Sequence, residues 1–462
     1  MALALPPITG PLVRTGLPGT RSAELLARQD RQESNARAYP RRLPIALKRG
    51  SGSYVEDVDG NVFIDFLTGA GVLALGYGHP ELVAAVQRQA EILTHGLDFP
   101  TEVKDEFTTR LLGLLPGELR DHARVHFCGP SGADAVDAAI KLCKKATGRA
   151  EVIAFQGGFH GMSHSAMALS SDATPRAGVA NVMPGVHFFP FPRCHRCPFG
   201  LTPDSCDTNC ATYLERSLRD THSGMAKPAA VLLELVQGEG GTVVAPPRFV
   251  HRLRTLTREL DIPLIVDEVQ TGGGRTGRWF AFEHYDMEPD VIVLSKMVSG
   301  IGMPVAVIAY HERLDGWAPG SHTGTFRGNQ LAFAAGAEFI RIVERDGVLA
   351  NVQARGAQAA ERLRQLRDRH PDVVVDTRGL GLMLGVEFGR PGGGPWPEAA
   401  RAIQREALTR GLIVEVGGSH QTVLRMLPPL NVDESTMDIA LTVLDAAVEA
   451  FRAAEDGRGS TS

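Results

Sequence analysis

Apolar residues recur along this chain in two periods. Three short, nearly continuous apolar runs, AAVLLELV, IPLIVDEV and DVIVLSK, lie in the middle third, each bounded by polar residues or proline. Such runs suit strands buried on both faces of a mostly parallel sheet. ARVHFCG (Ala123–Gly129) and EVIAF read as further strands. Between them the period becomes helical, over residues 79–95, 103–115, 133–147 and 248–261. The last of these puts Phe249, Leu253, Leu256 and Leu260 on one face. Alternating strands and helices predict a doubly wound α/β domain.

The flanks have a different texture. A charged segment from Arg21 to Asn35 is helical in pattern, and Pro40 and Pro44 follow it. Tyr54–Gly69 reads as a hairpin turning at Asp59-Gly60. Beyond residue 330 the pattern predicts a long helix or a helix pair over Ala332–Arg369 and a strand pair with glycine bends in VVVDTRGLGLMLGVEF. A helix over Glu398–Arg410, a short strand in VLRMLPPL and a last helix over Val432–Ala454 follow, with residues 455–462 polar and frayed. The expected organisation is a segment 1–75 joining a small α+β domain, a large domain 76–331, and the rest of the small domain over 332–462.

Composition narrows the classes. With 48 basic and 53 acidic side chains the net charge is −5, and no basic excess exists to neutralise phosphates, which argues against a nucleic-acid partner. No apolar run reaches the roughly 18 residues of a membrane span. The opening MALALPPITGPLV has no basic n-region and carries three prolines by residue 11, so it does not read as a signal peptide, and the expected location is the cytoplasm.

In open α/β sheets, ligands sit beyond the carboxyl ends of the strands. There the chain places CGPSGADA after Phe127, Asp267-Glu268-Val269-Gln270 after IPLIV, and Ser295-Lys296 after DVIVL. A lysine following a buried strand must be paired or deprotonated, and a desolvated amine can form a Schiff base with a carbonyl cofactor. A carboxylate at Asp267 would hold a pyridinium nitrogen protonated and make the ring an electron sink. Glycines and a serine at the mouth of a helix leave N–H groups for a phosphate. Phe159, in FHG after another strand, could stack on a planar ring. The Gly129–Asp134 loop is neither the GxGxxG pattern nor GxxxxGK[ST].

Together GPSGADA, GGFHG, LVQGEGG, VDEVQTGGGRTG, VLSKMVSG, TGTFRGNQ and RMLPPL resemble, in this order, the class III aminotransferases. ESNARAYPRRLPIAL, HFCGPSGADAVDAAIKL, CPFGL and GTFRGNQ are most similar to the diaminobutyrate–2-oxoglutarate branch. The resemblance implies the type I fold of pyridoxal-phosphate enzymes, with a large, mostly parallel doubly wound sheet domain, and a homodimer or higher homo-oligomer with shared sites. It implies that Lys296 is the Schiff-base lysine and proton carrier, Asp267 the partner of the ring nitrogen, and Gln270 the amide at the ring hydroxyl. Ser131, Gly132 and Ala133 would cradle the phosphate, Phe159 would stack on the ring beside His160, Glu234 would line the pocket, and Thr325 would reach the phosphate of the other subunit. Glu239 would act as a gate over Arg425, the arginine that clamps a substrate carboxylate. Arginine suits that task because its planar fork meets a carboxylate bidentately. The implied reaction is ping-pong exchange of an amino group between L-2,4-diaminobutyrate and 2-oxoglutarate, both small-molecule partners. Another ω-amino acid transaminase (ornithine, 4-aminobutyrate), an aminomutase or racemase on the same fold, or a cofactor-dead metal-binding or regulatory protein are the alternatives.

Six cysteines remain. Cys128 and Cys143 stand in apolar contexts and read as core. Cys194, Cys197, Cys206 and Cys210 form C-x2-C-x8-C-x3-C in a proline-rich insert. That spacing suits a structural metal, a disulfide or redox pair, or unligated thiols. Amino transfer itself calls for no metal.

Overall fold

Five of the expected strands become members of one seven-stranded sheet. In the computed structural model, which describes residues 10–459, its order is Ala123–Phe127, Val307–His311, Val291–Leu294, Leu264–Asp267, Ala230–Leu233, Val152–Phe155, Val186–Phe189. All neighbours are parallel except Val307–His311, which runs against both of its own. Val186–Phe189 and Val307–His311 are additions to the sequence reading. The second had a signal in the apolar run Val305–Tyr310, which is buried throughout.

The strands are sealed by helices. Gly132–Thr147 buries Ala135, Val136, Ala139, Ile140 and Cys143 against Val291, Val293 and Ile308. Cys128 and Cys143 are thus core, as expected. Pro247–Glu259 buries Phe249, Leu253 and Leu256, while Leu260 caps the helix half-buried.

Contacts divide the chain into two compact units, Glu81–Leu349 and the described residues up to Pro80 together with Ala350 onward. Helix Gln330–Arg345 packs on Glu102–Gly113 within the first. The other unit holds two four-stranded sheets. One orders Leu47–Ser51, Tyr54–Asp57, Val62–Asp65 and Leu412–Ile413; the other Val374–Leu380, Met383–Phe388, Val423–Met426 and Glu415–Gly417. The Tyr54–Asp65 hairpin turns where expected, with Gly60 at φ 86°, a conformation glycine adopts without strain. The frayed tail is corrected: the last helix runs Glu434–Gly459, carrying Phe451 into the core and continuing through polar residues. Residues 1–9 of the lead-in and 460–462 lie outside the described residues. Among the described residues no helix is long and apolar enough to cross a membrane.

One buried acid ties the amino end of the large sheet. Asp290 accepts from Arg254 at 2.7 and 3.2 Å, from Arg313 Nη2 at 2.6 Å and from the Leu264 amide at 2.8 Å. Burial pushes this carboxyl up, but the hydrogen bonds and charge of Arg254, aided by Leu264 and Arg313, hold it below the usual carboxylate range. Its contribution is therefore present above the ordinary carboxylate pKa and lost as pH falls through the lowered one. Breaking a buried ion pair from one side costs about 3–5 kcal/mol. Asp290→Ala should lower the urea midpoint by a corresponding amount at pH 7, and by less at a pH low enough to protonate this lowered carboxyl. Equal losses at both pH values would show that the charge is not what matters.

Candidate active site

Parallel register sets the positions of the acids. Val266 pairs with Leu233, so Glu234, the next residue, stands abreast of Asp267. Asp267 in turn pairs with Val293 on the other side, and Lys296 follows three residues later. The strand Val152–Phe155 brings Phe159 and His160 to the same edge through a glycine turn. These ends surround a cavity of about 400 Å³ lined by Ser131, Gly132, Ala133, Phe159, His160, Glu234, Glu239, Asp267, Gln270 and Lys296.

His160 Nδ1 donates to Asp267 Oδ2 at 2.7 Å, with both side chains almost fully buried. Burial alone would push the imidazole down. The hydrogen bond and charge of Asp267, with the charge of Glu234, reverse this and raise it above an ordinary histidine. Asp267 Oδ1 takes the Val269 amide at 3.0 Å. Glu234 accepts from the Phe159 amide at 2.9 Å and the Gly238 amide at 2.8 Å. Desolvation nevertheless pushes its carboxyl up to about 7.

Lys296 opens a short 3-10 turn after its strand, and its backbone sits at φ 42°. That left-handed conformation is uncommon outside glycine and asparagine and marks local strain. Across the cavity, Gly132 starts helix Gly132–Thr147, and a Cβ there would stand 2.9 Å from Val269 Cγ1. The first amides of a helix have no intrahelical partner, so Gly132 and Ala133 offer N–H groups to an anion. Ser131 differs. Its amide and hydroxyl both donate to Asp134 Oδ2, at 2.9 and 2.7 Å. Gln270 presents a buried side-chain oxygen with no partner.

The model of the class III aminotransferase family matches residues 35–448. The chain is a class III aminotransferase. It is 48% identical over 438 residues to the diaminobutyrate–2-oxoglutarate aminotransferase of Rhizobium meliloti (strain 1021), covering 93% of each chain. With the enzyme of the same name from Haemophilus influenzae it shares 44% over 420 residues, 89% of this chain and 91% of the other. Among solved structures, the ornithine aminotransferase of Toxoplasma gondii ME49 superposes with a TM-score of 0.80 at 26% identity, over 96% of this chain and 97% of that one. The type I fold expected from the sequence is the fold of this aminotransferase.

Two of the expected site residues, Thr325, expected at the phosphate of a second subunit, and Arg425, do not line this cavity. Thr325 lies on a 3-10 turn of the same unit, outside the cavity wall, where its carbonyl accepts from His95 Nε2 at 2.6 Å. Arg425 belongs to the other unit, on strand Val423–Met426. There it is 2% exposed and donates to Glu415 Oε2 at 2.6 Å. The cross-strand register that pairs Glu415 with Arg425 explains the contact, which the sequence reading did not foresee. Also unforeseen was Arg275, in GGGRTG, a fully buried guanidinium pushed down to about 9 by desolvation, with Nη2 3.4 Å from Met297 Sδ next to the lysine.

Behind the aminotransferase cavity, Glu268 is also fully buried. It accepts from Thr271 Oγ1 and from the Phe282 amide at 3.1 Å. Burial outweighs these bonds and pushes its carboxyl from 4.5 up to about 7. A raised carboxyl pKa means that the fold favours the protonated form. Its stabilisation is complete below the unfolded value and lost as pH rises through the folded one, about 3 kcal/mol over that window at 1.36 kcal/mol per unit. Glu268→Gln, neutral throughout, should flatten the decline in urea midpoint between pH 5 and 8. A slope identical to that of the parent protein would show that Glu268 does not titrate there.

Proposed function

We propose that this chain binds pyridoxal phosphate and exchanges an amino group between L-2,4-diaminobutyrate and 2-oxoglutarate, giving L-aspartate 4-semialdehyde and L-glutamate. The observation that carries the reading is the convergence of Lys296 and the His160–Asp267 pair on one cavity. The donor rests on the two relatives of that name at 48% and 44% identity. The fit of the cofactor is supported by the unpartnered Gln270 oxygen, suited to a ring hydroxyl, and by the helix start at Gly132 and Ala133 on the cavity wall, whose amides suit a phosphate.

Pyridoxal phosphate, when bound, supplies a carbonyl that condenses with amines and a ring that takes up the electron pair left by a departing proton. The chain does the rest. Lys296 is the residue that would hold the cofactor, and its amine would take up and return the proton that moves during the exchange. Asp267, oriented by the imidazole of His160, keeps a proton on the ring nitrogen. Gly132 and Ala133 amides hold the phosphate. Phe159, more than a third exposed on the cavity side, covers one ring face. Thr325 completes the phosphate site of a second subunit in a homodimer.

Arg425 grips the α-carboxylate of glutamate and 2-oxoglutarate, and Glu239 masks it while the distal amine of the donor reacts. Glu415, its cross-strand neighbour, fixes the position of the Arg425 guanidinium through the 2.6 Å ion pair.

A panel of amino donors with 2-oxoglutarate tests the substrate. Diaminobutyrate should exceed ornithine and 4-aminobutyrate in kcat/KM by at least tenfold; a reversed order would move the chain to one of those activities. Lys296→Ala should abolish turnover while leaving the protein folded, and a rate within tenfold of the parent would overturn the role of the lysine. Arg425→Lys keeps a charge beside Glu415 but loses the planar fork. It should slow the 2-oxoglutarate half-reaction by roughly 30-fold or more, the equivalent of about 2 kcal/mol for a bidentate charged contact. The donor half-reaction should change less than tenfold. Stopped-flow measurement of each half-reaction checks this, and equal losses in both would assign Arg425 a structural role.

A further inference from the structure

The cysteine insert occupies residues 190–208, between strand Val186–Phe189 and helix Asn209–Arg219. It contains no strand and no α-helix, only two 3-10 turns of three residues. Irregular connections of this length are uncommon inside a compact unit unless something holds them. Its own apolar residues do little of that. Phe191 is buried, but Phe199 and its ring partner Tyr213, 6.2 Å away, are both exposed.

What the insert does gather is sulfur. Cys194, Cys197, Cys206 and Cys210, distributed over both ends of the connection, all line one cavity of about 200 Å³. This cavity shares no lining residue with the active-site cavity. Cys194 starts the first 3-10 turn and Cys197 follows it; Cys206 follows the second turn, and Cys210 sits in the first turn of the helix. The Asn209 amide donates to Cys206 Sγ at 3.4 Å, a bond that strengthens as the sulfur becomes anionic. Arg193 and Arg248 line the same cavity.

We infer that these four cysteines bind one zinc ion that closes the insert. C-x2-C and C-x3-C are ligand pairs of structural zinc sites, which are tetrahedral and closed to solvent. On binding, the four thiols release four protons, so the site carries a charge of −2, which the helix N-terminus and the Arg193 guanidinium offset, Arg248 being paired with Asp207. No three of the sulfurs stand within 4.8 Å of one another without the ion. Zinc binding therefore requires the sulfurs to close up around the ion. The result is a brace beside the active site, because Arg193 of the insert donates to the Gly240 carbonyl at 2.8 Å, next to the cavity residue Glu239.

The decisive measurement is elemental analysis of the tag-free protein purified without chelator, with thiol titration and intact mass on the same sample. The expected result is one zinc per chain that survives dialysis against micromolar EDTA, with the four insert thiols unreactive until the metal is stripped. Cys194→Ser/Cys197→Ser should lose the zinc and lower the thermal midpoint by about 5 °C or more, the scale of a few kcal/mol in a protein of this size. Should that variant be insoluble, Cys206→Ser and the native protein itself still report the metal. Metal-free protein with four reactive insert thiols, a mass lower by the hydrogens of disulfides, or iron with acid-labile sulfide in place of zinc would each overturn the inference.

Discussion

The contact between His160 and Asp267 is the constraint on which the rest of the site depends. A carboxylate enclosed by protein loses its hydration and needs a compensating charge or several hydrogen bonds. Asp267 has both, from the imidazole and from the Val269 amide. The arrangement also settles what can stand nearby. Glu234, brought abreast by strand register, is pushed toward the protonated form by its own desolvation, against the opposing charge of His160 and with a smaller push from Asp267. The edge thus holds two carboxyl groups without the full repulsion of two charges.

The same strand that presents the lysine is anchored at its opposite end. Asp290 immediately precedes Val291–Leu294, and Lys296 follows it. Two arginines and an amide fix the first residue, and a continuous apolar ladder on both sides carries that register to the last. An error of one residue would turn the whole strand over. The polar cluster at one edge of the sheet therefore secures the geometry at the other, with an apolar core between them.

Much of this was legible in the sequence because burial on both faces leaves an apolar run that few other structures produce. Against such runs Lys296 and Asp267 stand out, and their position at strand ends points to a ligand. What was not legible involved long-range pairing. His160 and Asp267 are 107 residues apart, and nothing local joins them. Glu415 meets Arg425 only through the register of two short strands in a sheet whose order is not sequential. Ser131, which the resemblance puts in the phosphate cradle, has its amide and hydroxyl on Asp134, a contact of local helix capping. The antiparallel strand Val307–His311 escaped because a parallel sheet gives no expectation of a reversed member.

Lys296 at φ 42° has a further consequence, on an evolutionary scale. The residues most at ease in that conformation, glycine and asparagine, carry no amine. Selection for folding alone would favour either of them there, and the chain would gain stability by giving up its chemistry. Inactive descendants of this gene should therefore drift first at this position, toward residues that relax the turn, while the buried acids around it change later.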